Sequence, residues 1–156
     1  MIDISALSKD YAVRRLDEAD AEEILALCRG NTQFYRYCGA EPTREQVLQD
    51  LHILPPGKEA SDKYYLGFFR EDALVAVMDL IDGYPEERDC FIGFFMTNKG
   101  LQGRGIGSEI IREVCACLGE SGYTAVNLQN ALTRLFRTET GKALLRSVYR
   151  ERLEAL

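Results

Sequence analysis

The chemistry in this 156-residue chain concentrates in seven consecutive residues: Gln102, Gly103, Arg104, Gly105, Ile106, Gly107 and Ser108. Glycine stands at every second position from 103 to 107. An apolar, strand-like run (residues 91–96) comes just before. Ile106, Ile110, Ile111, Val114, Cys115 and Leu118 follow on one face of a predicted helix. Strand, glycine turn and helix start together hold an anion. The first amides of a helix lack intrahelical partners, and the helix dipole adds positive potential there. Glycines let the backbone approach and bend without a Cβ clash. The expected site binds a phosphate mainly through main-chain N–H groups.

Two familiar phosphate motifs fail on residues their chemistry requires. The dinucleotide fingerprint needs G-x-G-x-x-G, whereas the spacing here is G-x-G-x-G. The nucleotide-triphosphate loop has the right spacing from Gly100 to Gly105, but Ile106 stands where its lysine belongs. The pattern Q/R-x-x-G-x-G/A fits, read as Gln102, Gly105 and Gly107. On these residues the chain resembles the GNAT superfamily of acyl-CoA-dependent N-acyltransferases, in which this turn wraps the pyrophosphate of coenzyme A. A glycine-rich turn without a ligand is the plainer alternative; the strand before and the helix after argue against it.

The bulk composition narrows the function classes. One domain is expected at this length, and 46% hydrophobic with 28% charged residues describes an ordinary globule. No apolar run reaches the roughly 18 residues of a membrane span. Residues 1–5 have neither a basic start nor a long apolar segment, so no signal peptide and a cytoplasmic location are expected. Five cysteines, an odd number, read as free thiols rather than a disulfide frame. His52 is the only histidine, so no His-rich metal site is expected; the residue reads as structural or exposed. A net charge of −6 disfavours nucleic acid and suits a cationic acceptor such as an amine, or serves solubility alone.

The order of elements must deliver these residues to one place. Residues 11–16 read as a first strand, and Asp17 or Asp20 caps a helix over 21–28, ended by Gly30 and Asn31. Thr43 opens a second helix that runs to 51 or 53 and is stopped by Pro55, Pro56 and Gly57. Residues 63–69 and 73–81 form a hairpin. Residues 90–97 give a fourth strand; the glycine turn, a third helix and a fifth strand over 124–128 follow. The helix between strands four and five implies a right-handed parallel crossover. This order matches the GNAT arrangement from about residue 11 to residue 129. The implied fold is α+β (α/β): a mixed, mostly antiparallel sheet with flanking helices. Residues 1–129 make the acetyl-CoA-binding domain.

After Leu128 the family pattern stops. Residues 130–156 read as an atypical helical tail of the same domain, broken near Gly141, with six basic residues against three acidic. The tail is either a native appendage or the product of a changed reading frame near residue 129. Its apolar positions, among them Leu132, Leu135, Phe136, Leu144, Leu145 and Val148, need cover. That predicts a homodimer through the C-terminal helices; the alternative is a helix folded back on its own sheet.

The resemblance implies transfer of an acetyl group from acetyl-CoA to a primary amine of a small molecule or peptide. The contrasting reading is a catalytically defective CoA-binding module of the same fold. In the family the pantetheine arm bonds fourth-strand backbone like an added strand. Phe94, Phe95, Met96 and Thr97 occupy that stretch, where a bulge would aim one N–H at the acyl oxygen. Gln102, Gly103, Arg104, Gly105, Ile106, Gly107 and Ser108 complete the cofactor set, with Asn130 beyond the fifth strand. The family's fourth-strand glutamate has no counterpart between Cys90 and Thr97. Asp79 on the third strand and Tyr149 in the tail are the acid–base candidates, with Tyr84 also near the expected acceptor cleft. A solvated strand aspartate and a packed helix tyrosine are the structural alternatives.

Overall fold

A computed structural model describes residues 1–128, with backbone alone at 37 and 38. Among the described residues five strands form one sheet in the order β1-β2-β3-β4-β5. They are β1 (Ala12–Arg15), β2 (Lys63–Arg70), β3 (Ala73–Asp82), β4 (Asp89–Thr97) and β5 (Ala125–Asn127). The first three pairings are antiparallel, and β4 with β5 is parallel. The central strands β2 and β3 are covered on both faces, so they read as continuous apolar runs rather than alternating ones.

Helices α1 (Ala21–Gly30), α2 (Thr32–Cys38) and α3 (Arg44–His52) precede the hairpin, and α4 (Ile106–Glu120) links β4 to β5. Ile106, Ile110, Val114 and Leu118 of α4 pack with Leu66, Phe68, Met78, Leu80 and Ile92 on one face of the sheet. Ile24, Leu25 and Cys28 of α1 and Val47 and Leu51 of α3 cover Tyr65, Val77 and Met96 on the other. No described helix is long and apolar enough to cross a membrane. Cys28, Cys90, Cys115 and Cys117 form no disulfide among the described residues. His52 lies exposed, 2.8 Å from a Glu18 carboxylate oxygen.

Two details depart from the sequence reading. Asp17 caps a short 3-10 turn, Glu18–Asp20, and α1 starts behind it; Asp20 makes no side-chain cap bond to α1 but accepts from the Asp17 N–H. An additional helix, α2, follows Asn31 and ends at Gly39 (φ 77°). It is too short to be stable alone and is held by Phe34 and Tyr35 packing on the α1/α3 side of the sheet. Thr43 does cap α3, accepting from the Gln46 N–H at 3.1 Å.

Candidate functional site: a glycine turn at a helix start beside the end of β4

The glycine turn begins where β4 ends. The Asn98 N–H donates to the Val75 carbonyl at 2.7 Å, and its side chain accepts from the Gly100 N–H at 3.0 Å. The chain then passes Gly103 at φ 80° and Gly105 at φ 78°, left-handed conformations that L side chains rarely adopt. A Cβ at either position would meet no atom within 4 Å. The requirement for glycine here is therefore conformational.

Gly105 caps α4 with no side-chain hydrogen bond. The first main-chain bond is Glu109 N–H to the Gly105 carbonyl, 3.0 Å. Among the described residues the N–H groups of Ile106, Gly107 and Ser108 have no partner. Gly107 is glycine for a different reason: it is helical, but an added Cβ would lie 3.3 Å from Thr97 Cγ2 and 3.6 Å from Phe95 Cε1. The helix start is pressed against the end of β4. Ile106 sends its side chain into the core, so it offers the site only its amide. Arg104 and Ser108 are exposed at the turn, and Arg104 makes no ion pair among the described residues.

Gln102 acts as a brace. Its amide nitrogen donates to Asn31 Oδ1 at 2.6 Å and to the Thr97 carbonyl at 3.2 Å. Buried Asn31 in turn donates to the Leu27 and Thr97 carbonyls at 3.0 and 3.1 Å. This clasp joins the end of α1, the end of β4 and the turn. Asn31 carried no signal beyond helix termination in the sequence, because its role depends on residues 66 and 71 positions away.

The second half of the site is an edge of β4. Pairing with β5 covers only Asp89, Cys90 and Phe91. From Ile92 to Thr97 that edge has no strand partner among the described residues, while the opposite edge pairs with β3. Phe95 and Met96 lie in this open stretch. Phe95 packs toward α4, and Met96 is buried on the other face. The bulge expected within 94–96 lies earlier. Asp79 pairs with Phe94 and Leu80 with Ile92, which leaves Gly93 unmatched. A glycine inside a strand pattern is itself a bulge signal.

Asp79 is neither solvated nor isolated. Its Oδ1 accepts from Lys63 Nζ at 2.7 Å, and the two side chains are 12% and 5% exposed. Lys63 also donates to the Ile53 carbonyl just past α3, at 2.9 Å. Burial pushes the Asp79 carboxyl above its ordinary range; the Lys63 charge and hydrogen bond pull it partly back, and Asp50 pushes it up again. Tyr84 packs edge-on against Phe91 in the loop beyond β3. Asn130 and Tyr149 lie outside the described residues, as do the helical tail and the dimer contact expected of it. No cluster of metal-ligating side chains occurs among the described residues.

Among the described residues, three amides without partners at the start of α4 thus stand next to the end of β4, whose edge from Ile92 to Thr97 has no strand partner. The acetyltransferase (GNAT) family profile matches residues 24–141. The chain belongs to this family, which uses acetyl-CoA as its acyl donor. Solved structures share the fold. An acetyltransferase from Thermus thermophilus is 23% identical over 69% of each chain, with a TM-score of 0.59. The ribosomal-protein-alanine N-acetyltransferase of Brucella melitensis biovar Abortus 2308 is 16% identical, covering 76% of this chain and 79% of its own (TM-score 0.54). The PaiA N-acetyltransferase of Thermoplasma acidophilum, in complex with coenzyme A, is 16% identical over 83% of this chain and 87% of its own (TM-score 0.51). A search of curated proteins finds no significant match.

Proposed function

We propose that the protein transfers the acetyl group of acetyl-CoA to a primary amine of a small molecule or peptide. The observation that carries this reading is the N–H set of Ile106, Gly107 and Ser108, without partners among the described residues and next to the end of β4, whose edge beyond Phe91 has no strand partner among them. The residues fit the donor. The amides and left-handed glycines suit a diphosphate approaching the backbone, with Arg104 as an added cation. The open edge at Phe95 and Met96 suits an arm that bonds main chain as an extra strand would. Thr97 gives its carbonyl to Asn31 and Gln102, so it shapes the junction. Asn130 is assigned to the same arm from its place after β5.

The thioester is already activated, so the chain's task is to align an amine and move its proton. An alkyl amine has a pKa of about 10.4 and arrives charged. Asp79 is the group we assign to receive that proton. Tyr149 is assigned to protonate the departing sulfur, and Tyr149→Phe tests it. The acidic net charge of −6 suits a cationic acceptor. We place the protein in the cytoplasm, as a dimer through residues 130–156; light scattering that returns a monomer at tens of micromolar overturns the dimer.

Thermal unfolding with increasing coenzyme A should raise the midpoint in a concentration-dependent way. Free thiol should then appear when acetyl-CoA is mixed with a panel of primary amines. No rise at millimolar coenzyme A refutes the reading. A rise without thiol release on any amine favours the second reading, a CoA-binding module without catalysis, to which the lack of a carboxylate between Cys90 and Thr97 also points.

A further inference from the structure

Asn31 stands where three parts of the chain meet, and its side chain does not serve the helix it precedes. It lies between α1 and α2: its N–H donates to the Cys28 carbonyl at 2.9 Å, and its carbonyl accepts from the Tyr35 N–H at 3.3 Å. An asparagine directly before a helix usually caps it with the side-chain oxygen, yet α2 has no such cap. The oxygen instead accepts from Gln102 of the glycine turn, at 2.6 Å. The side-chain nitrogen holds the Leu27 carbonyl of α1 and the Thr97 carbonyl at the end of β4. Gln102 is held through its other atom too, because Lys99 Nζ donates to its Oε1 at 3.3 Å. The last turn of α1 lies against this stretch: a Cβ at Gly30 would stand 3.7 Å from Lys99 Cβ. At seven residues, α2 is too short to hold itself. Its first turn hangs on Asn31, and Phe34 sets its ring edge-on to Phe94 of β4, with centroids 6.2 Å apart. One buried amide therefore bridges the glycine turn and α2.

We propose that Asn31 is a positioning residue that couples the glycine turn to α2: coenzyme A bound at the turn steadies α2, and α2 seated on β4 tightens the hold on the coenzyme. The coupling rests on the coenzyme reading of the turn given above. The amides of Ile106, Gly107 and Ser108 can grip one ligand together only while the turn keeps its shape, and Gln102, at the head of that turn, is fixed by Asn31. A ligand on those amides favours the arrangement in which the Gln102–Asn31 bond is made. That bond in turn fixes the residue from which α2 starts. Such linkage is reciprocal, so whatever seats α2 strengthens coenzyme binding by the same factor. The coupling also crosses the sheet. Ile106 packs with the α4 face, whereas Phe34 and Phe94 pack with the α1/α3 face. Asn31 acts through Gln102 and through the Thr97 carbonyl, at the rim where the two faces meet.

Hydrogen–deuterium exchange with and without coenzyme A, read by mass spectrometry beside calorimetric titration of the coenzyme, tests this. In the wild type, coenzyme A should slow exchange in residues 32–38 and leave α3 as it was. Gln102→Met removes the amide from an exposed position. It should speed exchange in 32–38 in the coenzyme-free protein and lose the slowing on titration. Its coenzyme affinity should fall about fivefold, the ordinary net effect of one hydrogen bond. Asn31→Ala should lose about as much, and the double variant no more than either single one, because two ends of one bond do not add. If Asn31→Ala does not fold, Gln102→Met and its exchange pattern decide alone. The proposal is overturned if coenzyme A leaves 32–38 unchanged in the wild type, if α3 slows as much, or if Gln102→Met keeps the slowing. It is equally overturned if the two affinity losses add, which would make Gln102 a direct coenzyme contact. A wild type that does not bind coenzyme A refutes the acyl-transfer reading instead; exchange in coenzyme-free Gln102→Met then judges the clasp, faster in 32–38 supporting it and wild-type exchange overturning it.

Discussion

Gly105 and Gly107 stand two residues apart in one turn, and alanine should separate their roles. Gly105 sits at φ 78°, where a side chain costs about 1–2 kcal/mol. In a domain of this size that lowers the unfolding midpoint by about 2–8 °C. No atom lies within 4 Å of the added methyl, so the loop relieves the strain by rotating, and the amides of Ile106, Gly107 and Ser108 rotate with it. Misaiming a single hydrogen bond to a charged phosphate costs about 1.5 kcal/mol or more, at least about tenfold in coenzyme A affinity. Gly107 is helical, so alanine there brings no backbone strain and gains up to about 1 kcal/mol of helix propensity. Against this, the Thr97 methyl, 3.3 Å from the new Cβ, must shift by a few tenths of an ångström. Gly107→Ala should therefore unfold within about 2 °C of the wild type with its coenzyme response intact. The assay is thermal unfolding across a coenzyme A titration, in which a hundredfold excess over Kd adds about 2.7 kcal/mol of stability to the wild type. Wild-type coenzyme affinity in Gly105→Ala, or an equal loss in Gly107→Ala, would refute the reasoning.

Three further outcomes follow from the same geometry. Asn31→Ala should cost about 1–3 kcal/mol in denaturant unfolding, because it strands buried carbonyls, and should weaken coenzyme A binding by loosening Gln102. Lys63→Met leaves the Asp79 carboxylate buried and unpaired at a cost of about 3–5 kcal/mol near neutral pH. Its Asp79 pKa rises further, so the native state binds more protons than the unfolded chain. The variant's stability should fall as pH rises from the ordinary carboxylate value of 3.8 toward the raised native one, and Asp79→Asn in the same chain should flatten that slope. Asp20 works the opposite way. Arg14, bonded to both its oxygens at 2.8 and 3.0 Å, lowers its pKa despite opposing desolvation. Asp20→Asn should be less stable than the wild type above about pH 4. The difference should vanish as pH falls through the lowered native value, as read by urea unfolding at stepped pH.

The glycine turn was legible because its requirements are local. Two left-handed positions and a helix start with no side-chain cap are written in residues 103–108, and the apolar spacing of α4 follows at once. The element order from β1 to β5 was legible for the same reason, since capping residues, glycine–proline breaks and strand periodicity each act within a few positions. Helix α2 was not, because seven residues between Asn31 and Gly39 are stabilised by packing rather than propensity. The buried Lys63–Asp79 pair was hidden for a related reason. Lys63 and Asp79 lie 16 residues apart and meet only because the β2–β3 register brings them together. Gly93 faces Asp79 only because the bulge shifts the β3–β4 register by one residue. Register follows from the balance of packing on both faces of the sheet. The sequence by itself thus determined the family and the glycine turn at the start of α4; tertiary structure decided which carboxylate is buried and which lysine it meets, because both depend on strand register.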